Sequence, residues 1–249
     1  MSGHSKWANI KIRKGAQDVK RGKIFTKLIR EITTASRLGG SDPGSNARLR
    51  SAMLAARSQN LPKDTMEKAI KRGAGGVDGI NYEEVRYEGY GPGGVAVLVE
   101  TLTDNINRTV SEVRNLFNKH SGNLGTTGCV AFLFDKKGSI QYEGVNEEAL
   151  LEAALEAGAE DMINDNGTME VICAPESFES VREALAKSGF GQPTMAQLTM
   201  RPQNTINLDL KQATSMLKLM DGLEDLDDVQ RVYANFDLSD DVLKQLEIS

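Results

Sequence analysis

Residues 95–117 read VAVLVETLTDNINRTVSEVRNLF, an unbroken apolar run that passes directly into a helical pattern. The run 95–99 predicts a buried strand, because a short apolar stretch rich in β-branched residues is typical of one. From about residue 107 to residue 120, Val110, Val113 and Phe117 recur at helical spacing and predict a helix. A strand followed at once by a helix indicates that this part of the chain mixes both kinds of element.

Strands and helices continue on both sides of this stretch. A strand is predicted near 84–89 and a second buried strand over 130–134, with a polar turn at 161–167 further on. The remaining predicted elements are strand 139–142, helix 147–157, strand 168–173, helix 176–187, strand 195–201, helix 209–222, strand 229–236 and a short terminal helix capped by Ser239.

The N-terminal part of the chain is predicted to be entirely helical. Ile24, Leu28, Ile32 and Ala35 recur at helical spacing over about 17–38, and glycines follow. A second helix is predicted from about 46 to 59. The stretch 64–67 resembles a capping box for a third helix that ends at 71–73.

The order of these elements predicts an α+β multidomain protein. An N-terminal three-helix domain precedes two α+β domains of the ferredoxin-like, split β-α-β kind, one inserted in the other. The insertion is inferred because the segment 84–134 lacks a closing helix and strand, which 209–236 supplies. The predicted domains are 1–78, then 79–134 together with 208–249, and the inserted acidic domain 135–207.

Charge is divided very unevenly along the chain of 249 residues. Residues 1–72 carry 17 Lys and Arg against 5 acidic residues, whereas the rest carries 13 basic and 30 acidic residues. The formal net charge of −5 therefore describes neither part. A basic module on an acidic body indicates a polyanionic partner, and the acidic domains offer a surface for a protein partner.

The basic N-terminal domain is the predicted nucleic-acid-binding site. Lys20, Lys23, Lys27 and Arg30 of the first helix fall within about an 80° arc away from its apolar residues, and we call these four cations the basic stripe. Basic residues before this helix extend the charge into an arm, with Trp7 available to stack on a base. The candidate contacts are Lys6, Trp7, Lys11, Arg13, Lys14, Lys20, Arg21, Lys23, Lys27, Arg30, Arg48, Arg50 and Arg57.

A second contact is considered at the turn between the strand and the helix of the opening stretch. One interpretation of this turn is structural, with Asn107 as the helix N-cap. The other is functional, because a helix N-terminus beside Arg108 can hold an anionic group. The residues involved are Asp104, Asn105, Asn107 and Arg108.

Other kinds of site find little support in the sequence. The glycine-rich stretch 87–94 has no Lys where a phosphate loop needs one, so it is interpreted as a tight connection between strands. The turn at 161–167 fails the register of a calcium loop. Two His and two Cys in four unrelated places indicate no metal site and no disulfide framework. We therefore expect no enzyme activity, cofactor or small-molecule substrate.

The cell compartment is predicted from what the sequence lacks. No apolar run approaches the ~18 residues of a membrane span, and no secretory signal is present. A cytoplasmic protein without a membrane partner is expected.

Several motifs together resemble the YebC/PmpR family across essentially the whole chain. Small departures from the family pattern are Ile12 for His, Ser121 for Gly and Cys129 for Ser. The motifs are GHSKWANIK at 3–11, AQDVKRGKIFTKLIRE at 16–31, NARLR at 46–50, NLPKD at 60–64, YEGYGPGG at 87–94, LTDN at 102–105, NRT at 107–109 and GNLG at 122–125.

The resemblance implies a three-domain architecture and a cytoplasmic, DNA-binding regulator of transcription. Mitochondrial relatives are linked to translation, and bacterial relatives have been connected with ribosomes. The resemblance therefore leaves a second hypothesis open, a translation factor that associates with the ribosome and its RNA.

Overall fold

The computed structural model describes residues 17–75, 81–165 and 167–248. Within these ranges the chain forms eight α-helices and ten strands. The helices are α1 (Gln17–Gly39), α2 (Ala47–Ser58), α3 (Lys63–Gly73), α4 (Ile106–Lys119), α5 (Glu147–Glu156), α6 (Phe178–Leu185), α7 (Leu210–Glu224) and α8 (Asp240–Ile248). The strands are β1 (Glu83–Tyr90), β2 (Ala96–Thr103), β3 (Asn123–Leu124), β4 (Phe134–Glu143), β5 (Asp161–Asp165), β6 (Thr168–Cys173), β7 (Met195–Pro202), β8 (Ile206–Asn207), β9 (Val229–Ala234) and β10 (Phe236–Asp237).

The helices α1, α2 and α3 form a bundle around a small aliphatic core that includes Ile32, Leu49 and Met66. Asn46 joins the end of α1 to the start of α2. Its side chain accepts a hydrogen bond from the Leu49 N–H at 3.0 Å and donates one to the carbonyl of Gly40, just after α1, at 2.8 Å. One polar side chain thereby satisfies groups that both helix ends leave unpaired.

The start of α3 differs from the sequence prediction. The residue before the helix is Pro62, and no side chain caps its N-terminus, so the capping box predicted at 64–67 is wrong. The fixed φ of proline, −58° here, begins the helix at Lys63. Asp64 therefore lies in the first turn, where its charge favours the helix dipole without capping a backbone N–H.

The first sheet has the strand order β3-β1-β2-β9. Its centre is the antiparallel hairpin of β1 and β2, with Tyr90 opposite Ala96. The strand β9 comes from the far end of the chain and pairs antiparallel with β2. The sheet is thus assembled from two separate stretches of sequence, as the element order predicts.

Both faces of β2 are buried, which explains its unbroken apolar run. Val97 and Val99 face the large core shared with α4, α7 and α8. Leu98 points the other way and packs in a smaller cluster with Phe134 and Tyr233. Met200 of β7 packs against the same cluster, so this face of the first sheet meets the second sheet.

The second sheet has the order β5-β6-β4-β7 and is antiparallel throughout. With α5 and α6 it forms a β-α-β-β-α-β unit, which is the split β-α-β arrangement. Leu150 of α5 and Val181 of α6 pack on one face of this sheet. The predicted α+β class, with three N-terminal helices before the sheets, is confirmed; the predicted domain boundaries stay a prediction.

Two further predictions of local structure are wrong. Residues 161–165 form the edge strand β5 and not a turn, because pairing with β6 outweighs their polar composition. Ala131–Leu133 form a short 3₁₀ turn and not a strand. The N–H groups of Val130 and Ala131 donate to the Glu88 carboxylate, each at 2.8 Å, and so are not available to a sheet.

Candidate nucleic-acid interface

Two lysines of the basic stripe on α1 bind the C-terminal end of α7. The Lys23 Nζ atom donates to the Asp225 carbonyl at 3.0 Å and lies 3.4 Å from its carboxylate. The Lys27 Nζ atom donates to the Glu224 carbonyl at 2.6 Å. The last carbonyls of a helix lack intrahelical partners and carry its negative dipole end, so the two ammonium groups stabilise the end of α7.

The next cation of the stripe, Arg30, reaches a buried carboxylate. Its guanidinium donates to the Leu102 carbonyl at 3.0 Å and forms an ion pair with Asp228. The Asp228 side chain is only 3% exposed and also pairs with Arg108 at 2.7 Å. The Thr109 hydroxyl donates to the same carboxylate at 2.6 Å. Three elements of the chain therefore meet at one acidic side chain.

The surroundings of Asp228 determine its protonation. Burial by itself raises the pKa of a carboxyl group, but the hydrogen bonds from Thr109, Arg108 and Arg30 outweigh it here. The pKa of Asp228 is lowered to about 2. The carboxylate therefore stays charged across the physiological range and keeps both arginines in place.

Further cations of the helical domain bind groups close to Asp228. We call this contact between the helical domain and the first sheet the junction. Arg48 joins Glu31, at 2.7 Å, to Glu84 on β1. Burial acts to lower the pKa of Arg48, but the hydrogen bonds and charges of the two glutamates raise it overall. Arg37 donates to the Tyr82 carbonyl, and Arg30 lies over the Tyr82 ring with 5.2 Å to its centre. The junction thus holds the helical domain against the first sheet.

The other predicted contacts are placed as follows. Arg50 donates to the carbonyls of Pro43, at 2.8 Å, and Gly44, at 3.2 Å, within the helical domain. Arg57 is exposed on α2. Outside the described part of the chain lie Lys6, Trp7, Lys11, Arg13 and Lys14, and the side chains of Lys20 and Arg21.

Helix α3 contributes cations that the sequence analysis did not single out. Its buried face is formed by Met66, Ala69 and Gly73. Lys68 and Lys71 are exposed, and in the described part of the chain neither forms an ion pair or a hydrogen bond. Their spacing of three residues predicts that they share one face of a helix, but only the structure shows that this face is exposed.

The residues of the predicted second contact form hydrogen bonds and ion pairs with one another. The N-cap of α4 is Asn105, whose side chain accepts from the Arg108 N–H at 3.0 Å, so the assignment of Asn107 as the cap is wrong. The cap lies two residues earlier than predicted because the Asn105 backbone is extended, as a cap requires. Arg108 lies 2.7 Å from Asp104, and Asn107 is exposed in the first turn.

The glycine-rich stretch 87–94 forms the end of β1 and the tight connection to β2 that the sequence indicates. Gly93 and Gly94 take φ values of +73° and +77° in the turn between β1 and β2, which only glycine adopts readily. Within the same stretch, Glu88 is 3% exposed and accepts three backbone N–H groups, from Gly128, Val130 and Ala131. Burial acts to raise the pKa of Glu88, but these donors lower it overall.

Two features are absent from residues 17–75, 81–165 and 167–248. No cluster of three or more His, Cys, Asp or Glu side chains there is arranged to hold a metal ion. No helix in these ranges combines the length and the apolar character that crossing a membrane requires.

Comparisons with known proteins agree in pointing to one family. Residues 5–76 match the family described as the TACO1/YebC protein N-terminal domain, and residues 82–236 match the TACO1/YebC second and third domain. A probable transcriptional regulatory protein of Magnetococcus marinus is 62% identical over 248 residues, which cover 99% of each chain. One of Geobacter sulfurreducens is 56% identical and covers 99% of this chain and 100% of its own.

A solved structure agrees with the observed fold. The crystal structure of a conserved hypothetical protein from Aquifex aeolicus matches with a TM-score of 0.84 and 49% sequence identity. The match covers 91% of this chain and 95% of the other.

Proposed function

We propose that this chain, which belongs to the TACO1/YebC family, is a DNA-binding regulator of transcription that contacts the phosphate backbone through its basic helical domain. Relatives that cover nearly the whole chain are named probable transcriptional regulatory proteins, which supports a regulatory role in general. In this proposal the protein acts in the cytoplasm without catalysing a reaction, and its acidic domains face a protein partner.

The separation of charge supports the DNA-binding part of the proposal. The first 72 residues carry 17 basic and 5 acidic residues, and the rest carries 13 basic and 30 acidic residues. A duplex is attracted to the first part and repelled by the second, so it has one favourable side from which to approach. Backbone contacts of this kind give affinity and orientation without reading the base sequence.

The contacts within the chain narrow the surface available to a nucleic acid. Lys23, Lys27 and Arg30 are occupied by carbonyl and carboxylate groups of the first-sheet region. Lys68 and Lys71 on α3 and Arg57 on α2 are exposed. We infer that these three residues form the phosphate-binding surface, and that the basic residues of the arm, Lys6, Lys11, Arg13 and Lys14, add further phosphate contacts.

The proposal is tested with a fluorescent DNA duplex at fixed, near-physiological salt. The variant Lys68→Gln/Lys71→Gln removes two exposed charges of α3. Each lost phosphate contact weakens binding by about tenfold. The plot of log affinity against log salt concentration also becomes less steep, and the size of its negative slope falls by about 2. The control, Lys136→Gln/Lys187→Gln, removes two exposed lysines of the second-sheet region. Equal affinities for the variant and the control contradict the assignment of this surface.

The same assay separates DNA from ribosomal RNA as the partner. Unlabelled ribosomes are titrated against the bound duplex, and the phosphate concentration needed for release is compared with that of unlabelled duplex. Under our proposal ribosomes compete no better than the duplex does. Release at a far lower phosphate concentration makes the chain a ribosome-associated translation factor and overturns the DNA assignment.

A further inference from the structure

An open groove of about 650 Å³ lies between the end of α4 and the first half of α7. The two helices are joined there by the Ser215 hydroxyl, which donates to the His120 carbonyl at 3.2 Å. The groove is at the opposite end of α4 from Arg108, about 20 Å along the helix from the junction at Asp228. Its lining residues are Lys119, His120, Leu210, Lys211, Thr214, Ser215 and Lys218.

The groove is cationic in a part of the chain that is acidic overall. Three lysines and a histidine line it, without any carboxylate among the lining residues. In the described part of the chain, none of the three lysines forms an ion pair with an Asp or Glu. Beyond residue 72, acidic residues outnumber basic ones by 30 to 13. The positive charge of the groove is therefore opposite in sign to the net charge of the part of the chain in which it lies.

Stability of the helices accounts for Lys119 but not for Lys211. Lys119 lies in the last turn of α4, where a cation favours the helix dipole. Lys211 lies in the first turn of α7, where the dipole favours an acidic side chain. The like charges also act on His120, whose pKa is lowered by burial and then by Lys119 and Lys218. The cations therefore repel one another, and a bound anion relieves that repulsion.

The arrangement of the cations favours an extended anion over a single ion. Lys211 and Lys218 are two helical turns apart, about 10 Å along the same face of α7. Thr214 and Ser215 lie between them, and their hydroxyl groups donate to the carbonyls of Leu210 and His120, so the lysines supply the charge of the groove. Lys119 and His120 contribute from α4 across the groove. Several charged oxygens in a row match this pattern, as in a chain of phosphate groups.

We propose that the groove between α4 and α7 is a second anion site that binds phosphate-bearing polyanions through Lys119, Lys211 and Lys218, with His120 at its edge. The site differs from the surface on α3, and its occupancy does not depend on that surface. Its ligand is either the backbone of a nucleic acid or a free polyphosphate, which share the same chemistry.

The imidazole of His120 reports whether an anion is bound in the groove. Its NMR signal is easily assigned, because the chain has only two histidines. Its NMR titration is assigned with the variant His4→Gln and followed with and without inorganic tripolyphosphate. The charged groups that line the groove with it are Lys119, Lys211 and Lys218. An anion bound among them favours the imidazolium form, so we expect tripolyphosphate to move the titration midpoint upward by at least about half a pH unit.

A matched set of variants shows where the anion binds. In Lys119→Gln/Lys211→Gln/Lys218→Gln the midpoint rises without ligand, because the repelling charges are gone, and tripolyphosphate does not move it further. Lys68→Gln/Lys71→Gln keeps the full response, as does Lys136→Gln/Lys187→Gln. A response in the triple variant equal to that of the unaltered chain overturns the proposal, as does no response in the unaltered chain.

A second arm identifies the source of the phosphate. A twelve-nucleotide single-stranded oligonucleotide replaces tripolyphosphate in the same titration. A matching shift assigns the groove to a nucleic-acid backbone. A shift with tripolyphosphate alone assigns it to a free polyphosphate, and no shift with either ligand overturns the site. Loss of DNA binding in the α3 variant with an unchanged His120 response separates this proposal from the proposed function.

Discussion

The guanidinium of Arg30 on α1 is ion-paired with the carboxylate of Asp228, which lies 198 residues further along the chain. Both side chains are largely buried, with exposed fractions of 12% and 3%. Asp228 also holds Arg108 and Thr109 at the start of α4. The position of the helical domain and the order of the first sheet are therefore coupled through one carboxylate.

Removing the charge of Asp228 is expected to lower the stability of the whole chain. In Asp228→Asn, Arg30 and Arg108 lose their shared carboxylate, and the buried guanidinium of Arg30 is left without its counter-ion. We expect the free energy of unfolding in urea to fall by about 3 kcal/mol. Asp227→Asn, which alters the exposed neighbouring residue, serves as the control and is expected to change it by less than about 0.5 kcal/mol. Equal losses in the two variants contradict the role given to Asp228.

The pKa of Asp228 predicts how stability depends on acid. Because its folded-state pKa of about 2 lies below its ordinary value of 3.8, the charged group stabilises the fold above about pH 4. That contribution is lost as the pH falls, and amounts to about 2 kcal/mol between pH 5 and pH 2. Urea unfolding across this range is expected to show a shallower pH dependence in Asp228→Asn. An unchanged slope rules out the lowered pKa. The pKa of Glu88 is also lowered, so Glu88 likewise makes the protein less stable as the pH falls, in the unaltered chain and in Asp228→Asn alike.

Glu88 is expected to hold the loop that follows β3. Replacing it with Gln leaves one oxygen as acceptor, so at least one of the three N–H donors, of which that of Val130 is buried, loses its partner. Glu88→Gln is expected to destabilise the chain by about 2 kcal/mol. Hydrogen exchange at Gly128, Val130 and Ala131 is expected to speed up more than exchange in β6. Glu83→Gln, at an exposed position of the same strand, is the control, and matching exchange in both variants argues against this role.

Ser121 is a position where a glycine is expected to stabilise the protein. Its φ is +60°, a left-handed conformation that costs an L-residue roughly 1 kcal/mol. Ser121→Gly removes this strain and is expected to raise the thermal midpoint, with a gain of about 0.5 kcal/mol after the entropy that glycine costs. Ser111→Gly, inside α4, is expected to have the opposite effect and lose about 1 kcal/mol. A loss in both variants shows that the conformation at 121 carries no strain.

Local patterns predict most of the elements well. The spacing of Ile24, Leu28 and Ile32 predicts a helix over 17–38, and α1 ends one residue later. The strand β2 is predicted by an unbroken apolar run, because both of its faces are buried, and α4 is predicted by apolar residues at helical spacing. The apolar composition of 130–134 is misleading, since Glu88, distant in sequence, binds the N–H groups that a strand requires.

Local sequence patterns predict the candidate site less well than they predict the helices and strands. The stripe of Lys23, Lys27 and Arg30 on one face of α1 is correctly placed by helical spacing, but spacing does not identify the groups that the stripe meets. The structure supplies carbonyls of α7 and the carboxylate of Asp228. The exposed lysines of α3 are identified only once the bundle has defined which face is buried.

The sequence by itself determined the succession of helices and strands, the separation of a basic segment from an acidic one, and the family resemblance. These depend on residue type and on spacing over a few turns, which are properties of neighbouring residues. Only the tertiary structure decided that Arg30 meets Asp228, that Glu88 binds the loop at 128–131, and that Lys119 shares a groove with Lys218. Each of these pairs is brought together by the packing of sheets and helices that lie far apart in the chain. A pattern of neighbouring residues does not determine such contacts.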